Sequence, residues 1–124
     1  MKKTLISIHP FAQHSPLPLD ILNSSNLVYD INPFKRRMNE NDFLEIVENY
    51  DCIIAGTESI TKKILEKGYK LKHIARVGVG YNSIDLKACR ERDVKISYTP
   101  YAPSEAVAEF TLGLFISLTR GIHI

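Results

Sequence analysis

Residues 71–86, LKHIARVGVGYNSIDL, run a short apolar strand into Gly78, Val79 and Gly80 and then toward a helix start. Backbone N–H groups at a glycine-containing turn and at a helix N-terminus carry partial positive charge. Aimed at one point, they hold a carboxylate or phosphate without a dedicated cation. The spacing therefore predicts an anion cradle at Gly78, Val79 and Gly80, with Asn82 or Ser83 capping the helix that follows. A side chain at Gly80 is expected to block the anion or to strain a backbone of positive φ. A plainer reading stays open on these residues alone, that two glycines merely let a strand turn into a helix.

The same glycines are a near miss to a dinucleotide loop. That fingerprint needs a third glycine for close helix packing and an acidic residue about 20 positions on. Ser83 stands at the third glycine, and the neighbourhood of position 100 offers Tyr98, Thr99, Pro100 and Tyr101 with no carboxylate to hold a ribose. Other chemistry is sparse. His9, His14, His73 and His123 stand in no catalytic pattern and read as surface or core histidines. Cys52 and Cys89 are single thiols in apolar surroundings, expected reduced and buried. No metal-ligand spacing occurs.

The chain has 124 residues, 44% hydrophobic and 24% charged, which suits one globular core. A net charge of +2 is too small to imply nucleic acid. Lys62, Lys63, Lys67, Lys70 and Lys72 are interrupted by Glu66 and apolar residues, as on a solvated helix face. Met1, Lys2 and Lys3 look like the opening of a signal peptide, but the apolar stretch ends at His9 and Pro10 with no small-residue cleavage site. A cytoplasmic location is expected.

Strands are predicted over residues 4–8, 26–31, 51–56, 73–77 and 94–98. Helices are predicted from Pro16, around Phe43, Ile46 and Val47, from a Ser59 cap through Ile60, Ile64 and Leu65 to a stop at Gly68, and through Ile84, Ala88 and Cys89. Strict alternation of strand and helix predicts a parallel five-stranded sheet with helices on both faces, joined by right-handed crossovers. Ligands in such sheets sit outside the carboxyl ends of the strands. Those ends lack the carboxylates and lysine of a receiver domain, and the loop after the first strand lacks the hydroxyl-rich phosphate loop of a flavodoxin.

Residues 104–119, SEAVAEFTLGLFISLT, form a helix apolar nearly all round, with Glu105 and Glu109 its only charges. It is too short for a membrane span of about 20 residues. A helix greasy on most faces is buried on most faces. Val107, Phe110, Leu114 and Leu118 make one stripe while Leu112, Phe115 and Ile116 lie off it, so this helix expects a neighbouring domain or subunit.

Three segments in register, Gly56 to Thr61, Leu71 to Ala88 and Thr99 to Glu109, resemble the N-terminal substrate domain of the D-isomer-specific 2-hydroxyacid dehydrogenases, nearest in texture to the D-3-phosphoglycerate dehydrogenase branch. The match covers roughly residues 50 to 122; earlier residues agree only as a pattern of strand and helix. The resemblance implies an α/β fold, flavodoxin-like (Rossmann-like), with residues 1–101 as the substrate-binding domain and residues 102–124 as a long helix leading to a dinucleotide-binding domain. It implies that the amides of Val79 and Gly80 hold the carboxylate of a small 2-hydroxy or 2-oxo acid. It also implies that Val79 and Val107 face NAD across the interdomain cleft. The apolar faces of the terminal helix lead to the expectation of a homo-oligomer, a dimer, through that helix. Arg76 occupies a family position but is given no catalytic role, and Glu109 reads as structural.

The departures are informative. The family's catalytic Arg, Glu and His and its dinucleotide loop lie C-terminal to the helix at the end of this sequence, so no catalytic residue is assigned here and residues 1–124 alone are expected to be inactive. Gly56 stands where phosphoglycerate dehydrogenases commonly carry an Arg for the substrate phosphate. Asn82 and Ser83 replace the usual Asp and Asn, and Asp93 stands where a helix-ending Gly is common, in a left-handed position that Asp tolerates. Two expectations result: the substrate-domain portion of an NAD-dependent enzyme, or a short non-catalytic binding or dimerisation module of the same fold. Continuation of the reading frame into a domain with a Gly-x-Gly-x-x-Gly loop distinguishes them.

Overall fold

Alternation of strand and helix is realised throughout the computed structural model, which describes residues 2–101 and 103–122. His123, and Ala102 at the expected boundary, lie outside the described residues. In chain order the elements are β1 Lys3–Ile6, α1 Leu17–Ser24, β2 Val28–Ile31, α2 Glu40–Ile46, a 3-10 turn Val47–Asn49, β3 Cys52–Ala55, α3 Lys62–Lys67, β4 His73–Arg76, α4 Leu86–Glu91, β5 Lys95–Tyr98 and α5 Ser104–Arg120. All strand pairs are parallel, in the order β2-β1-β3-β4-β5. That is the flavodoxin-like order. The chain steps one way across the sheet from β1 to β2 and the other way thereafter. Right-handed crossovers then put α1 on one face and α2 to α4 on the other.

Register explains the core. Leu5, Ile53, Ile74 and Ile96 are paired partners across four strands, so their side chains share one face. The first three are fully buried against Phe43, Val47, Ile64, Leu65, Ala88 and Cys89. At roughly 1.5–3 kcal/mol for each large apolar side chain, this layer is the main stabiliser of the fold. The other face is less covered: Ile6 is buried, Ile54, His73 and Ala75 are half-buried, and Ser97 is exposed.

Two helix starts differ from the sequence reading for one shared reason. Ile60 and Ile84 form an isolated parallel bridge, with Ile60 N–H donating to Ser83 O at 2.8 Å and Asp85 N–H to Ile60 O at 3.0 Å. Extended backbone at both places delays the helices. Thr61, not Ser59, is the N-cap residue of α3, and Asp85, not Asn82 or Ser83, caps α4 by accepting from Ala88 N–H at 2.9 Å. At α2, Asn39 and Asp42 form a reciprocal capping box, and Arg36 binds Asp42 through two bonds of 2.6 and 2.8 Å. Arg36 and the Asn39 amide hold the Asp42 carboxyl below the ordinary value of 3.8.

None of the side chains of α5 is buried against the domain. Phe110 is 68% exposed and Ile116 46%. No helix is long and apolar enough to cross a membrane among the described residues.

Candidate functional site: an amide cradle at the carboxyl end of the sheet

β4 ends at Arg76, and the backbone must then leave the sheet. Gly78 makes this possible with φ of 138°, a conformation that side-chain-bearing residues rarely adopt. The positive φ thus falls at Gly78 rather than Gly80. A further reason for glycine is the Arg76 guanidinium, which folds over the loop: a Cβ on Gly78 would lie 2.5 Å from Arg76 Nη1. Arg76 Nη1 donates to Val77 O, and Arg76 Nε is buried with no acceptor.

The three residues of the expected cradle divide into two roles. Gly78 N–H donates to Thr99 Oγ1 at 2.8 Å, and Thr99 N–H returns a bond to Gly78 O at 3.2 Å. Gly78 is therefore a hinge between β4 and the segment after β5, not an available donor. The N–H groups of Val79 and Gly80 have no acceptor among the described residues. A Cβ on Gly80 would meet nothing within 4 Å, so the space above it is open. The sequence also placed a helix N-terminus directly at this loop. It is not there: residues 81–85 intervene and α4 begins only at Leu86.

The apolar surroundings are exposed at the same end of the sheet. Val79 is 42% exposed, and Tyr81 and Tyr98 meet edge to face with centroids 5.2 Å apart. Val107, 58% exposed, lies in the first turns of α5. Sequence reasoning missed Glu58, a buried acid beyond β3 whose Oε2 accepts from Gly56 N–H at 2.7 Å. Its signals were its position at a strand's carboxyl end and its place in the Gly56 to Thr61 segment.

The remaining candidates do not converge on the loop. His73 Nε2 lies 3.0 Å from Ser97 Oγ on the sheet's opposite face, and His9 and His14 are solvent-exposed. Burial pushes both thiols up, Cys89 to about 11. Neither is an activated nucleophile. Asp93 does adopt the left-handed backbone expected of it, at φ 54°.

The family model described as D-isomer specific 2-hydroxyacid dehydrogenase, catalytic domain, matches residues 12–121. The chain belongs to this family. It is 36% identical over 87 residues to a D-3-phosphoglycerate dehydrogenase from Methanocaldococcus jannaschii, covering 68% of this chain and 16% of that protein. Against a hydroxypyruvate reductase from Thermotoga maritima the identity is 31% over 86 residues, covering 68% and 28%. The fold is similar to the NAD+-bound 3-phosphoglycerate dehydrogenase of Entamoeba histolytica, with a TM-score of 0.78 at 27% identity, covering 94% of this chain and 38% of that one. The chain thus spans less than a third of the length of those two relatives.

Proposed function

We propose that the chain is the substrate-binding portion of an NAD-dependent D-2-hydroxyacid dehydrogenase, holding the carboxylate of a small 2-hydroxy or 2-oxo acid on the N–H groups of Val79 and Gly80. The supporting observation is that these two amides have no acceptor among the described residues, just beyond the carboxyl end of β4, where a Cβ on Gly80 would meet nothing within 4 Å and the Arg76 guanidinium lies over Gly78. Two amides and the nearby positive charge of Arg76 favour a carboxylate. They fix the acid by one end, which leaves its C2 to be presented to the reacting partner in one orientation.

NAD, when bound, takes or gives the hydride at C2. On this chain, Val79 and Val107 offer exposed apolar side chains suited to packing against a flat ring. The acid/base His, the Glu that tunes it and the Arg that polarises the carbonyl belong, as the family resemblance implies, to a following dinucleotide-binding domain. That domain is also the first partner of α5. A second subunit packed along the rest of the helix completes its burial, and the assembled enzyme works in the cytoplasm.

The test is Gly80→Val in the chain joined to a dinucleotide-binding domain of the family. Turnover of NADH with 2-oxo acids is expected to fall or its KM to rise steeply, with the circular dichroism unchanged. Unaltered kinetics would remove Val79 and Gly80 as the carboxylate site.

A further inference from the structure

The loops that follow β1 and β2 enclose an open cleft of about 710 Å³, within the roughly 300–1,000 Å³ that small-molecule sites occupy. One wall carries His9, Phe11 and Gln13, and the other carries Asn32, Pro33 and Lys35. Asn32 latches the two loops together. It is 4% exposed, its Nδ2 donates to Ser7 O at 2.7 Å and to Arg36 O at 2.8 Å, and its Oδ1 accepts from Phe34 N–H at 2.9 Å. The cleft is thus formed before any ligand arrives. Ala12 and Lys35, one in each loop, have φ of 55° and 52°. Left-handed backbone is uncommon outside glycine and gathers at ligand sites.

Three polar side chains on these walls, His9, Gln13 and Lys35, have no hydrogen-bond or ion-pair partner among the described residues. Lys35 belongs to a run of three cations whose other members are engaged: Arg36 pairs with Asp42 at 2.6 Å, and Arg37 Nη2 donates to Thr57 O at 2.6 Å. Lys35 alone is left over. No carboxylate lines the cleft among the described residues, so nothing there neutralises its charge. The remaining lining is apolar, with Phe11 half-buried and Ile31 45% exposed on the edge strand β2.

We infer that this cleft is a second binding site, for a small acid that carries one carboxylate on an apolar ring. The carboxylate pairs with Lys35 and takes hydrogen bonds from the Gln13 amide and the His9 ring, while the ring lies against Phe11, Ile31 and Pro33. The site is separate from the amide cradle. β3 stands between β1 and β4, so at about 4.8 Å per strand the cleft lies roughly 10–14 Å from the strand that leads to Val79 and Gly80. A short acid held on those amides does not reach it. The inference therefore stands independently of the carboxylate-site reading above.

The probe is phenylacetate, titrated calorimetrically into the 124-residue chain, with acetate and benzyl alcohol as the two halves of its chemistry. Phenylacetate is expected to fill one site per chain with a Kd of about 1 mM or below, and acetate and benzyl alcohol to bind about tenfold more weakly or worse. Lys35→Gln removes the charge at an exposed position and should weaken phenylacetate by about tenfold or more with the circular dichroism unchanged. Gly80→Val, at the other end of the sheet, should leave the affinity as it is. No saturable binding of phenylacetate, acetate bound as tightly, equal affinity in the native and Lys35→Gln chains, or binding lost in Gly80→Val would each overturn the assignment.

Discussion

Two glycines two positions apart do different work, and substitution should separate them. Gly78→Ala meets both an unfavourable φ and the Arg76 guanidinium. It should destabilise the fold by about 1–3 kcal/mol, seen as a lower urea midpoint. Gly80→Val meets open space, so its midpoint should stay near that of the native chain while ligand binding suffers. Asp42 gives a pH-dependent counterpart. Its carboxyl is held below 3.8 by Arg36 and the Asn39 amide, so the folded state favours the ionised form. The stability it contributes is complete above that value and is lost as pH falls through the lowered one. Asp42→Asn should flatten the acid limb of the stability profile; an unchanged limb would show that the capping box carries no such linkage. At this scale the glycine motif was legible from spacing, because glycine is required where backbone must turn sharply. Which amide stays free was not, since it depends on Thr99, 21 residues away in sequence.

The five strands and five helices were readable because apolar runs and turn residues alternate cleanly, and right-handed crossovers fix which face each helix covers once the strand order is known. The errors fell at helix starts. Ser59, Asn82 and Ser83 are good capping residues by type, but the Ile60 and Ile84 bridge holds both segments extended, and a pairing between distant segments leaves no local trace. α5 was legible as a helix in need of a partner, and its large apolar side chains remain uncovered in the structure. Burying a few of them is worth about 1.5–3 kcal/mol each. The isolated chain should therefore self-associate through α5. Leu112→Glu or Ile116→Glu should shift sedimentation toward monomer and raise solubility. A clean native monomer at high concentration would show that α5 folds back onto the half-covered face of the sheet.

For the molecule as a whole, the proposed division of labour is that this chain binds the acid and that the hydride chemistry needs a second domain. The resemblance was carried by three segments around the carboxyl ends of β3, β4 and β5, where chemistry constrains residue type. Residues 1–45 carried only a structural pattern, because packing strands and helices of this kind can be built from many sequences. The most direct measurement is NADH oxidation with a panel of 2-oxo acids, by residues 1–124 alone and by the same chain joined to a dinucleotide-binding domain of the family. The expected result is no turnover by the chain alone and 2-oxo acid-dependent turnover by the joined protein, lost in Gly80→Val. Turnover by the chain alone, or a folded joined protein inert toward every 2-oxo acid, would contradict it.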